Sequence, residues 1–117
     1  MLTREQILAA QDLPSEVVPV PEWGGDVRIR TLTTRERDRF EAATISVVDG
    51  KPQLNTENVR ARLVALCAVD DTGARLFSDE DTDALGAKNA SAVERLFSVA
   101  QRLNGFSKDD IEQLSKN

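Results

Sequence analysis

Cys67 is the one thiol in the chain, and no histidine accompanies it. A cysteine nucleophile needs a partner that draws off its proton, and a histidine-based triad or a paired-histidine zinc helix needs the imidazole itself. Those chemistries are excluded by composition. The acidic clusters Asp70-Asp71 and Asp79-Glu80-Asp81 carry enough oxygen for a divalent cation. They lack the EF-hand order, with its glycine at the sixth position and glutamate at the twelfth, and helix caps and turns account for them more simply. Gly24-Gly25 lies between two extended stretches rather than ahead of a helix, so it is not a phosphate cradle. No catalytic residue, metal or cofactor is expected, and the chain reads as a binding or assembly protein rather than an enzyme.

A binding protein works through apolar side chains that its own core does not absorb. Leu76-Phe77 and Phe106 flank helices on turns and are the hardest to place in one small core. Each has a structural reading, as a staple on a helix end, and a functional one, as part of an exposed groove for an amphipathic helix. Leu76 and Phe77 fit either reading, and Phe106 fits the staple better. Trp23 sits at a turn. It either folds its indole back over its neighbours, the favoured reading, or anchors a partner. Trp23, Leu76, Phe77 and Phe106 are therefore the candidate partner-binding residues.

The elements that position them are read from caps and periodicity. Thr3-Arg4-Glu5-Gln6 is a capping box opening a helix to about Ala10, with Ile7 and Leu8 turned to the core. Leu13-Pro14 ends it. Glu16–Val20 is extended, but Pro19 and Pro21 bar it from the centre of a sheet. After the Gly24-Gly25 turn, Val27–Leu32 alternates with period two, placing Val27 and Ile29 inward and Arg28 and Arg30 outward. One antiparallel hairpin is expected here, packed on a helix.

Thr33-Thr34-Arg35-Glu36 opens a second helix to about Ser46, with Phe40, Ala43 and Val47 as its inward stripe. Arg37 and Glu41 form an outer ion pair on it. Val48–Gln53 is a loop whose Asp49-Gly50 suits a small hairpin with weak flanks. Asn55 or Thr56 caps the longest apolar helix, in which Val59, Leu63, Leu66 and Cys67 form one face. Val64, Ala65 and Ala68 widen that face, so the helix is buried on more than one side. Cys67 is then a small buried hydrophobe.

Asp70–Gly73 turns the chain, and Ser78-Asp79-Glu80-Asp81 caps a short helix to Leu85 that stops at Gly86. Asn89 or Ser91 caps the next helix, whose stripe is Val93, Leu96, Phe97, Ala100 and Leu103 and whose end is Asn104-Gly105. Ser107–Asp110 opens a last one. The fold class is α+β, mainly helical: one small helical domain spanning 1–117 with one N-terminal β-hairpin.

The net charge of −5 argues against nucleic acid and against an anionic membrane surface, because both attract cationic proteins. The arginines are interleaved with acids, as in Arg35-Glu36-Arg37-Asp38-Arg39. No apolar run is long enough to span a bilayer. A lone cysteine does not point to secretion, and Met1–Glu5 lacks the apolar core of a signal peptide, so a cytoplasmic setting is expected.

The order of motifs is informative. Val20-Pro21-Glu22-Trp23-Gly24-Gly25-Asp26-Val27-Arg28-Ile29-Arg30 precedes Glu36-Arg37-Asp38-Arg39-Phe40-Glu41. Asn58–Leu66, Arg75-Leu76-Phe77-Ser78-Asp79 and Leu103-Asn104-Gly105 follow. Across nearly the whole chain this resembles the tail assembly chaperones of long, non-contractile-tailed bacteriophages and prophages. The resemblance implies a non-enzymatic protein of the host cytoplasm that coats the tape measure protein, keeps it soluble, recruits tail tube subunits and leaves the finished virion. It also implies that the chain corresponds to the shorter of two forms made by ribosomal frameshifting. Coating a filament favours weak self-association. The competing reading is a structural head–tail connector or tail completion protein.

Overall fold

The computed structural model describes residues 1–54 and 57–106. Helix α1 (Arg4–Ala9) opens with the expected capping box: Thr3 Oγ1 accepts from the Gln6 N–H at 3.2 Å, and Gln6 Oε1 accepts from the Thr3 N–H at 2.9 Å. Its side chains correct the sequence reading. Ile7 and Leu8 stand 55% and 67% exposed rather than facing the core. Pro14 lies between α1 and the first strand, and no hydrogen bond among the described residues ties 1–13 to the rest of the chain.

Strands β1 (Ser15–Val20) and β2 (Gly25–Arg30) form the expected antiparallel hairpin, in register from Ser15 opposite Arg30 to Val20 opposite Gly25. Pro19 is tolerated because β1 is an edge strand in the order β1-β2-β5. Val20 and Ile29 are fully buried. Arg30 corrects the simple alternation: it is buried, not outward. The reason is helix α2 (Thr34–Thr44), whose first turn places Glu36 against it. The guanidinium donates to both carboxylate oxygens of Glu36, at 2.8 and 3.0 Å. Burial alone would raise the Glu36 carboxyl pKa; the Arg30 bonds and the Thr33 N–H outweigh it and hold the carboxyl below its ordinary value.

The capping box at Thr33 forms as expected, but α2 ends at Thr44, two residues early. The β-branched run Ile45–Val48 leaves it as strand β3, which pairs with β4 (Lys51–Leu54) across Asp49 and Gly50, both at positive φ. The Asp-Gly hairpin therefore forms, and the molecule has a second two-stranded sheet. The buried stripe of α2 is Glu36, Phe40 and Thr44, at i, i+4 and i+8. Ala43 is exposed, a further correction, and the side chain of Val47 lies outside the described residues.

Helix α3 (Val59–Cys67) is the centre of the core. Leu63, Val64, Ala65, Leu66 and Cys67 are all within 2% of complete burial. Consecutive residues are buried, so the helix is covered on several sides, as its apolar run predicts. Its two expected caps, Asn55 and Thr56, lie outside the described residues. Asn58 stands at the N-cap in a left-handed conformation and directs its amide to Asp83 Oδ1 at 2.8 Å. Ala68 leaves the helix instead of widening its face. With Val69 it forms β5, pairing Arg28 with Val69 and Ile29 with Ala68.

Helix α4 (Thr82–Gly86) follows a short 3-10 turn capped by Ser78. Helix α5 (Ala90–Leu103) is capped by Asn89, whose Oδ1 accepts from the Ala92 N–H at 3.0 Å. Its stripe of Val93, Leu96, Phe97 and Ala100 lies against the core. At its end, Gly105 adopts φ 71° and the Phe106 N–H reaches the Gln101 carbonyl at 2.9 Å, a Schellman closure. Asn104 then joins three elements. Its side chain accepts from the Leu32 N–H, donates to the Ala100 carbonyl and approaches Cys67 Sγ. The helix proposed from Ser107 onward lies outside the described residues.

Candidate functional site

Trp23 closes the 3-10 turn Pro21–Trp23 between β1 and β2, where the Gly24 N–H bonds back to the Pro21 carbonyl at 3.1 Å. The turn is fastened to α5 by a two-pronged pair, Arg95 to Glu22, at 2.8 and 2.9 Å. That hydrogen-bonded guanidinium holds the Glu22 carboxyl below its usual range. The indole is half-buried, with one part on the core and the rest open.

Phe77 reaches the same place from the other half of the chain. Asp70 organises the preceding turn by accepting from the Thr72 hydroxyl, the Thr72 N–H and the Ala74 N–H. Arg75 is anchored on the Ala65 carbonyl and pairs with Asp79, while the Leu76 N–H bonds to the Ala68 carbonyl. Ser78 and Asp81 then close a capping box immediately after Phe77. The backbone on both sides of Phe77 is thereby fixed, and its ring packs half-buried on the core.

Trp23 and Phe77 together wall a shallow groove of about 410 Å³. Leu85 and Ala84 also line it, and Asp81 and Lys88 supply its charges. Leu76 stands next to Phe77 in sequence and is 49% exposed. Phe106 is elsewhere. It is buried, with its ring 5.8 Å from that of Phe40 and the Arg37 guanidinium 4.4 Å over its face. The structure thus joins two of the four candidate residues in one groove, places a third beside one of them in the chain and sets the fourth apart.

Sequence reasoning missed the residues that α4 contributes. Asp81, Ala84, Leu85 and Lys88 recur at i, i+3, i+4 and i+7, the spacing of a single helix face. That signal was present but short, and it is split between a 3-10 turn, a five-residue helix and the residues after it.

A second cleft of about 440 Å³ lies between the starts of α3 and α5, lined by Asn58, Arg60, Gly86 and Glu94 among others. Arg60 and Glu94 pair with each other there, and Lys88 also lines it. Cys67 is fully buried, and desolvation pushes its thiol up to about 12, which leaves it protonated and unreactive at neutral pH. Among the described residues no group of three or more acidic, histidine or cysteine side chains is placed to hold a metal ion. No helix among them is long and apolar enough to cross a membrane.

Neither the curated proteins nor the solved structures compared with the chain gave a match. The family model for phage tail assembly chaperones matches residues 3–116, almost the entire sequence. By that match, the chain belongs to the phage tail assembly chaperone family.

Proposed function

We propose that this chaperone shields apolar segments of the tape measure protein by seating them in the Trp23–Phe77 groove. The observation that carries the reading is the groove itself: two aromatic walls and an aliphatic floor left open on a chain of net charge −5. A tape measure is a long helix with apolar surface that would aggregate if left bare. A turn of such a helix presents side chains at i, i+3 and i+4, which an apolar groove of this kind accepts. Asp81 and Lys88 set the direction of the bound segment, and the surplus negative charge keeps the coated polymer dispersed. The protein acts in the host cytoplasm, hands the coated tape measure to tail tube subunits and is absent from the completed virion. It makes and breaks no covalent bond.

Co-expression with the tape measure protein tests the reading. Ala84 is exposed and lines the groove, so Ala84→Arg fills it without disturbing the core. The expected result is wild-type circular dichroism with the tape measure protein lost to the insoluble fraction. Undiminished solubilisation by Ala84→Arg overturns the groove as the client site. Mass spectrometry of purified particles separates the chaperone from a structural connector, because a connector stays in the virion at fixed copy number.

A further inference from the structure

The large apolar side chains that stand exposed among the described residues are confined to two places. One is the N-terminal arm and its junction with β1: Met1, Leu2, Ile7, Leu8, Leu13 and Val17. The other is Leu76, beside the groove. The arm contains α1, a capped helix of six residues with no buried side chain. A helix that short does not persist in water by itself, because isolated helices below about 12–15 residues are marginal. α1 therefore needs a surface, and none of the described residues of its own chain buries it.

We propose that the arm of one copy lies in the Trp23–Phe77 groove of a second copy. This rests on reading that groove as an apolar docking surface. The fit has three parts. Ile7 and Leu8 are a pair of branched apolar side chains, and a groove of about 410 Å³ admits a pair of that size. Arg4 and Glu5 precede the pair, exposed and 3.7 Å from each other, and the groove presents one charge of each sign to them, Asp81 and Lys88. Finally, the arm offers the same chemistry as the proposed client, a short amphipathic turn, while the groove of the same chain stands open. Arm and groove are different surfaces, so the contact is heterologous. Self-association then occupies the groove until a client displaces the arm, and a patch this small gives an affinity on the order of 10 µM or weaker.

Sedimentation velocity on the full chain tests this by complementation. Wild type is expected to associate with rising concentration, and the α1 amides to gain hydrogen-exchange protection in parallel. Ile7→Asp combined with Leu8→Asp breaks the arm, and Ala84→Arg breaks the groove. Each variant alone is expected to associate at least tenfold more weakly. Mixed, they are expected to form a one-to-one pair, since each retains the half the other lacks. Lys88→Glu is expected to weaken association and Glu5→Lys to restore it in the double variant. A wild type that stays monomeric, an arm variant that associates like wild type, or a mixture that forms no pair overturns the proposal. The arm variant is still expected to solubilise the tape measure protein. Loss of self-association in Ala84→Arg with solubilisation intact would instead refute the groove as the client site while leaving the arm contact standing.

Discussion

The Arg30–Glu36 pair is the costliest single contact to disturb. Both side chains are about one-tenth exposed, and the pair is bidentate. Removing one charge strands the other in a poorly solvated site, so Glu36→Gln is expected to lower stability by about 3–5 kcal/mol in urea denaturation. Replacing both residues together by apolar ones of similar volume is expected to cost far less, because no orphaned charge is left. The pair also makes stability depend on acid. The Glu36 carboxyl is held below its ordinary value near 4.5, so the folded state is stabilised above that pH. That contribution is lost as the pH falls through the lowered value, and a pH series of unfolding free energies should show the decline below neutral in that window and its absence in Glu36→Gln. Cys67 gives the opposite kind of test. Its buried, protonated thiol is expected to resist alkylation in the native protein and to react promptly in denaturant.

At the scale of elements, local rules and tertiary demands can be told apart. The capping boxes at Thr3 and Thr33 were legible because they are built from four consecutive residues. The hairpin was legible from its alternation and its prolines. Arg30 was not, because whether a strand residue faces water depends on what α2 places above it. Ala68 was not, because the edge of β2 competes with the helix for it and wins. The groove was half legible: Phe77 stood out as hard to place in the core and Trp23 as a candidate anchor, but their convergence from positions 23 and 77 is a long-range fact. Two substitutions test the joints between elements. A Cβ on Gly86 would displace the end of the Asn58 side chain and with it the Asn58–Asp83 bond, so Gly86→Ala is expected to lower the melting temperature by the equivalent of no more than about 1 kcal/mol. Asn104→Ala removes the acceptor for the part-buried Leu32 N–H and is expected to cost about 1–3 kcal/mol in the same assay.

At the scale of the whole molecule, the core and the exposed arm are separate regions. The core lies between the β1-β2-β5 sheet, α3 and α5, while the arm adds no buried side chain to it. Substitutions in the arm are therefore expected to leave the thermal midpoint of a dilute sample unchanged while altering its behaviour in concentrated solution. Pro19 on the edge strand β1 and the two-residue length of β5 limit strand-to-strand polymerisation through the three-stranded sheet. The position of Trp23 has a practical consequence. The chain holds one tryptophan and no tyrosine, so its ultraviolet emission arises almost wholly from the wall of the groove. Anything that settles there and displaces water from the indole should move that emission to shorter wavelength and protect it from iodide quenching, turning the unmodified protein into its own optical titration probe.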